Sequence, residues 1–462
     1  MPRIALPFFL LIATIHAAAA RPAPALALGG AIANIPLNGP RRLALEAWVM
    51  DQWQQVQIIP VDADNAFSAT LDAVHPGQFR LRVFGQAKIW CDFVVADSAM
   101  ADNTLRFKLD YRDMNGQAAR LPESPVNTLY AALTDARDRL NQLRDSSATM
   151  AQADEALTAL NRLCLETAAR YPRTLIADIA LLLFQPAAAD YISSPEVKKM
   201  TANEFARAYD LDKIPFHHDN ILYHNAFLKA LNRYYNYFSR DDAGSQAYIE
   251  GIMSRRNGSD AVDGFLFRFL LDRMMDAKQE GGLNYLLNWY TPDCSDENPL
   301  PDYTRNLLVA LKVCAPGNTV PDLALPGMDE KNVALSQICP RYNITLLLFW
   351  RSTCSHCREF EPELARIYAK YHPLGVEVFA LSNDKSKEDW QAFLQQNPSP
   401  WINVFIPQEQ RAEIARQFPA PSTPTLIAVD SRRRVVSRLI SRSALESFLD
   451  SALQKQQEHK GR

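Results

Sequence analysis

The chain of 462 residues carries 49 Lys and Arg against 52 Asp and Glu, a net charge of −3, and 48% of its residues are hydrophobic. That length allows roughly three domains, and the composition is that of a folded chain with large cores rather than a disordered one. Neither sign of charge is gathered into long blocks, which excludes the basic footprint of a nucleic-acid binder or of a polybasic membrane-surface protein.

Residues 1–20 read as a signal peptide for export. Arg3 supplies positive charge, Ile4–Ile15 is an apolar stretch, and His16–Ala20 offers small residues for cleavage. The stretch is short for a bilayer span, which takes about 20 residues, so a membrane anchor is the weaker reading and a mature chain from about Arg21 the stronger. No cysteine follows the stretch to carry a lipid. The expectation is an exported, soluble protein with no membrane span.

Residues 29–113 predict an all-β, sandwich-like domain. Alternating runs cover Arg42–Val49, Gln55–Val61, Ala66–Leu71, Gln78–Phe84, Lys88–Val95 and Thr104–Asp110, separated by turn residues. In the fourth run Phe79, Leu81 and Val83 face one way, Arg80 and Arg82 the other. Cys91, inside a strand, reads as a buried thiol.

A polar link at Met114–Pro125 leads into a helical region, residues 126–315. Its clearest helix spans Ile221–Phe238, with Tyr223, Phe227, Leu231, Tyr234 and Phe238 three or four apart on one core-facing stripe. His217, His218 and His224 lack the i, i+4 spacing of a helical zinc pair, so no metal is expected there. Cys294 and Cys314 bracket the last helix and are candidates for a disulfide. No constant repeat period is evident.

Past the Pro/Gly-rich boundary at Cys314–Gly327 the pattern alternates strand and helix, which predicts an α/β domain over 320–457. The segments "DLAL" and "NVALSQI" read as a hairpin, Ile344–Trp350 as a buried strand, and Ser355–Tyr371 as a helix. Strand Val376–Ser382, helices in "KEDWQAFLQQN" and "QRAEIARQF", strands "TLIAVD" and "RRVVSRLI", and a closing helix complete it.

Cys354 and Cys357 stand at the turn from strand to helix, separated by Ser355 and His356. A helix start stabilises a thiolate through its unpaired N–H groups and dipole, and the thiolate is the species that attacks disulfides. Cys357, one turn on, can close onto Cys354 and release a bound partner. His356 can add charge or a hydrogen bond to the thiolate, or lie on the helix surface. A zinc site needs about four ligands, and the chain has no second such pair. A static staple would close too short a loop to constrain the unfolded chain much.

The motif "FWRSTCSHC", Pro362 after the second cysteine, the loop-and-strand "STPTLIAVD" and the hairpin "VPDLALPGMDEKNVALSQ" together resemble the TlpA/ResA-like thiol–disulfide oxidoreductases of the thioredoxin fold. The order of the three regions is similar to larger exported members found in Bacteroidota. The resemblance implies a redox-active disulfide Cys354–Cys357 with no other cofactor and no metal. It also implies a cis-proline at Pro424, with Thr423 and Trp350 among the substrate-binding residues. A periplasmic location, protein disulfide or dithiol substrates, and a membrane electron-transfer protein that recycles the pair are implied as well. Two positions depart from the family: Leu348 and Phe360 stand where related proteins carry carboxylates that shuttle the proton of the buried cysteine. Glu359, Glu361 or water are the substitutes.

The expectation is therefore a thiol–disulfide oxidoreductase with Cys354, Cys357 and His356 as its reacting and activating groups. The histidine before the second cysteine is shared with strong oxidants, whereas the resemblance points to reduction. Two alternatives differ in class: a binding protein whose first 300 residues carry the function, and a peroxiredoxin-like peroxidase. The second is disfavoured because Leu348 and Arg351 replace that group's Pro and Ser/Thr.

Overall fold

A computed structural model describes residues 25–36, 38–72, 75–97, 104–116, 124–146, 149–188, 196–289 and 302–460. The expected signal segment and Cys294 lie outside the described residues. Two compact units divide the chain: Met1–Phe238 with Arg255–Asp263, and Ser239–Ser254 with Gly264–Arg462. The helical stretch 126–315 is thus shared between them.

In the first unit β1 (Leu26–Ala33), β4 (Ala66–Leu71) and β7 (Thr104–Asp110) make one sheet. The strands β2 (Arg42–Val49), β3 (Gln52–Pro60), β5 (Gly77–Val83), β6 (Trp90–Val95) and the short β8 (Asn115–Gly116) make a second. Side chains two apart along a strand share a face, so Phe79 meets Phe93 and Leu81 meets Cys91 across β5 and β6. Both sheets contribute to one apolar core that holds Leu45, Leu81, Phe93 and Phe107. Burial there pushes the Cys91 thiol up to about 12.

The opposite face of β5 carries the arginines, and each finds a carboxylate: Arg80 Nε reaches Asp92 Oδ1 at 2.6 Å, and Arg82 pairs with Glu46. Helix α1 (Pro125–Asp145) packs on β6, where the Asn127 amide both accepts from Val94 N and donates to Val94 O at 2.9 Å. Helical residues of the same unit therefore cover part of this sheet, so the strands are not a free-standing all-β domain. Strand β1 is a further difference from expectation. Its Gly29–Gly30 pair hides the alternation, yet it pairs with β7 in parallel over seven residues.

The unit continues with α2 (Met150–Arg170), α3 (Leu175–Leu183), α4 (Ala202–Tyr209) and α5 (Asn225–Tyr235). Helix α2 opens with a Thr149/Gln152 capping box and α4 with a Thr201/Glu204 one, each satisfying two otherwise orphaned amides. The expected helix over 221–238 is interrupted at His224. A 3-10 turn spans Asp219–Tyr223, and His224 Nδ1 caps α5 by accepting from Ala226 N at 3.1 Å. The stripe is otherwise core: Phe227, Leu231, Tyr234 and Phe238 are buried. The His217 and His218 rings lie 4.1 Å apart, with His218 Nδ1 2.7 Å from Asp178 Oδ1, while His224 is apart from them, buried at the α5 cap. Burial pulls the His224 pKa down to about 3.

The second unit begins with α6 (Asp242–Met253), takes in the later part of α7 (Asp260–Asp276), and adds α8 (Glu280–Asn288) and α9 (Asp302–Val313). A hairpin of β9 (Ala324–Pro326) and β10 (Asn332–Ala334) follows, then a one-turn helix α10 (Leu335–Ile338) inside the segment expected as strand. The main sheet has the order β13 (Ile402–Phe405), β12 (Val376–Ser382), β11 (Ile344–Trp350), β14 (Thr425–Asp430), β15 (Val435–Ser437). Strand β11 is parallel to β12 and antiparallel to β14.

All seven residues of "ITLLLFW" are buried, as a central strand covered on both faces requires. Leu346, Leu348 and Trp350 face the core built with α11 (Ser355–Tyr371), α12 (Lys387–Gln396) and α14 (Leu445–Lys460). Leu347 and Phe349 face the other core, with Cys314, Cys339 and α13 (Arg411–Gln417). Helix α9 packs on α13. Beside them the guanidinium of Arg438, wholly buried, meets Glu280 Oε1 at 2.7 Å and hydrogen-bonds Asn284 and the Leu311 carbonyl.

Candidate active site

The site forms where β11 stops and α11 starts. Cys354 is the N-cap residue of α11, which places its sulfur at the open helix end. Cys357 lies one turn into the helix and is 7% exposed, whereas Cys354 is half-buried. The loop before β14 faces the pair: Thr423–Pro424 is cis, and Cys354 Sγ lies 3.4 Å from the Thr423 carbonyl oxygen.

The environment separates the two thiols. Burial works against ionisation of Cys354, but it is outweighed by hydrogen bonds from the Thr423 side chain, from the Cys357 thiol, and from the backbone N–H groups of Cys357 and His356. The balance holds Cys354 below the ordinary thiol value. Cys357 goes the other way. Burial first, then the neighbouring Cys354 sulfur, push it up to about 12. The two thiols are thus shifted in opposite directions from the ordinary thiol value.

Cys357 and Pro424 line a cleft of about 340 Å³, together with Trp350, Glu361, Trp401 and Asn403. Two polar atoms among these lining residues, Trp350 Nε1 and Asn403 Oδ1, are buried with no hydrogen-bond partner among the described residues. Glu361 is half-buried, and burial raises its pKa above the usual carboxylate range. Of the two acidic candidates beside the pair, Glu361 shares the cleft with Cys357, while Glu359 is exposed with Oε2 3.6 Å from His356 Nδ1.

The imidazole of His356 therefore sits on the outer face of the helix, and the group His356 offers the Cys354 sulfur is its backbone N–H. Its carbonyl oxygen lies 3.5 Å from Arg442 Nη1, and the same guanidinium covers the Phe360 ring at 4.9 Å. Trp350 is buried against Phe393 as well as lining the cleft. Cys339 is buried on the opposite face of the sheet from Cys357. Cys314 Sγ donates to Gln417 O at 3.2 Å, and its candidate partner Cys294 is outside the described residues.

Sequence reasoning did not single out Trp401, Asn403 or Asp384. Trp401 and Asn403 lie around an unrecognised strand, β13, after a Pro-rich stretch. Asp384 follows β12 at a carboxyl end of the sheet, where α/β layers gather functional groups, and that position was the available signal. The Asp384 carboxylate accepts from Ser352 N, two residues before Cys354.

Residues 342–435 match the family model described as thioredoxin-like. The C-terminal domain is thioredoxin-like. The thiol-disulfide oxidoreductase ResA of Bacillus cereus is 24% identical over 139 residues, which cover 30% of this chain and 77% of that protein. Tryparedoxin of Trypanosoma brucei brucei is 34% identical over 89 residues, 18% of this chain and 59% of that one. Among solved structures, a putative thiol:disulfide interchange protein DsbE from Chlorobium tepidum is 29% identical and covers 30% of this chain and 97% of its own, with a TM-score of 0.27. A thioredoxin-like protein from Bacteroides caccae is 16% identical over 58% of this chain and 97% of its own, with a TM-score of 0.42. The named sequence relatives of the thioredoxin-like domain include several thiol-disulfide oxidoreductases. No helix among the described residues is long and apolar enough to cross a membrane.

Proposed function

We propose that the protein is an exported, periplasmic thiol–disulfide oxidoreductase that reduces protein disulfides through Cys354 and Cys357. The carrying observation is the opposed ionisation of two neighbouring sulfurs at one helix end. The Cys354 thiolate attacks one sulfur of a substrate disulfide, the S–S bond breaks, and the released substrate thiolate takes a proton. Cys357 then gives its proton to Glu361 and attacks Cys354 Sγ. The second substrate sulfur leaves, and the products are a substrate dithiol and the Cys354–Cys357 disulfide.

Two electrons have passed to the substrate, so an external dithiol donor, a membrane electron-transfer protein in this reading, must restore the pair. Thr423, Pro424 and Trp350 frame the strip where an extended peptide would lie. No metal or organic cofactor takes part. The carboxyl of Glu361, raised by burial, suits proton exchange near neutral pH better than an ordinary surface carboxylate would.

The test is insulin or a model disulfide peptide with Cys354→Ser and Cys357→Ser variants. Loss of exchange in the first and a trapped mixed disulfide on Cys354 in the second are expected. Full exchange by Cys354→Ser would sink the reading. Direction is read from the potential of the pair in a glutathione buffer. Dithiols in this fold span roughly −270 to −120 mV, and a value at the oxidising end would overturn the reductase assignment.

A further inference from the structure

The nucleophile of this site is only as well placed as the three residues that lead into it, Arg351, Ser352 and Thr353. They lie beyond the last ladder pair of the sheet, Trp350 opposite Ser382, where a loop would ordinarily be free to move. Here the ladder is prolonged by other means. Asn383 N donates to Trp350 O at 2.9 Å. Ser352 N then reaches both oxygens of Asp384, at 3.1 and 3.0 Å, and Ser352 Oγ donates to Asp384 Oδ1 at 2.9 Å. Ser382 Oγ donates to Asp384 Oδ2 at 2.7 Å and accepts from Asp384 N at 3.1 Å. The Asp384 carbonyl is held in turn by Arg411.

Ser352, Ser382 and Asp384 are all buried, at 7%, 0% and 3% exposure. Every donor aimed at the Asp384 side chain meets an acceptor, which is the pattern a carboxylate can satisfy and an amide cannot. From Ser352 one tight turn, closed by Cys354 N donating to Arg351 O at 3.2 Å, delivers the sulfur to the helix end.

We propose that Asp384 is a positioning residue for the exchange reaction, anchoring the Arg351–Thr353 loop to the end of β12 so that Cys354 Sγ is held at the mouth of α11 beside Thr423. The assignment rests on the thiol-exchange reading for its purpose, but its geometry does not depend on that reading. Asp384 touches neither sulfur and acts through Ser352. If the loop slackens, Cys354 loses its register with the Thr423 group and with the N–H groups of His356 and Cys357. A sulfur without those bonds ionises less readily. The buried negative charge alone would have the opposite effect, since an anion near a thiolate disfavours it. Anchoring and charge therefore predict opposite signs.

The experiment is rapid alkylation of the reduced full-length protein by iodoacetamide from pH 5 to 10, with peptide mapping of Cys354, for wild type, Asp384→Ala and Asp384→Asn. Loss of the anchor is expected to move the Asp384→Ala midpoint up toward the ordinary thiol value and slow Cys354 alkylation at pH 7 about tenfold, roughly the equivalent of one lost hydrogen bond. Asp384→Asn keeps one acceptor for Ser352 N and is expected to fall between.

A midpoint that stays put in folded Asp384→Ala, or moves down in both variants, overturns the proposal. Should Asp384→Ala fail to fold, Ser352→Ala and Ser382→Ala each remove one bond to the carboxylate. An upward shift in either supports the anchor, and no shift in both overturns it. Because alkylation is read without any substrate, a negative result here leaves the exchange reading standing. Retained exchange by Cys354→Ser would sink that reading without touching this one.

Discussion

The two cysteines differ in the way that matters for chemistry, and the difference is large enough to measure at neutral pH. Cys357 is pushed up to about 12, so at pH 7 about one molecule in 10⁵ carries its thiolate. An ordinary thiol, with a pKa of about 8.5, is ionised in roughly one molecule in 30 at pH 7, and Cys354 lies below that ordinary value. Ionisation alone then sets a ratio of at least about 10³ in alkylation rate, before the burial of Cys357 adds a further obstacle. The perturbation that tests the cause is Cys357→Ala. It removes one of the hydrogen bonds that favour the Cys354 thiolate, so the Cys354 midpoint rises even though its own surroundings are otherwise intact. The assay is timed iodoacetamide labelling of the fully reduced protein, quenched and mapped by mass spectrometry across pH 6 to 10. Comparable labelling of both cysteines at pH 7, or a Cys354 midpoint at the ordinary thiol value, would refute the reasoning.

Three further outcomes are expected. Glu361→Gln removes the proton acceptor beside Cys357, so decay of a trapped mixed disulfide in stopped-flow slows by roughly 10²-fold at pH 7, while formation of that mixed disulfide by Cys354 is unchanged. His224 is neutral in the fold with a pKa near 3 and protonates near 6.5 when unfolded. The unfolded chain therefore binds the extra proton between those values, and stability falls as pH drops through that window by something on the order of 4 kcal/mol. Urea unfolding at pH 7 and pH 4 should show a smaller loss in His224→Asn, whose amide can keep the helix cap. Arg438→Ala leaves Glu280, Asn284 and the Leu311 carbonyl without their shared donor. A cost of about 3–5 kcal/mol in urea unfolding is expected, with partial recovery in Arg438→Met/Glu280→Met.

What the sequence disclosed was local. The buried run of β11, the helix from Ser355 to Tyr371 and the cysteine pair between them are written in contiguous residues, so strand, helix start and spacing could be read together. What escaped depends on partners far along the chain. Strand β1 is held by β7 nearly eighty positions later, and its two glycines, Gly29 and Gly30, erase the alternation that would mark it. The cleft joins residues of β11, α11 and the approach to β13, none of which carries the pattern of a pocket by itself. Asp384 looks like an ordinary polar residue after a strand until Ser352 is seen bound to it. The expected interaction between the His356 ring and the thiolate has no counterpart. The spacing that brings its N–H to Cys354 also turns its side chain outward, to Glu359.

The buried Arg438 has a consequence for how this protein can be divided. Its guanidinium belongs to the strand side of the C-terminal domain, whereas its carboxylate and amide partners come from α8, and its carbonyl partner from α9. A fragment begun at residue 342, where the family match starts, and carried through to the C-terminal helix would lack α8 and α9 and hold a bare cation inside apolar surroundings. Such a piece would gain solubility or cohesion only from new contacts, which means aggregation or partial unfolding. Transplanting this domain as a module therefore requires cutting upstream of α8, at a seam that no motif announces.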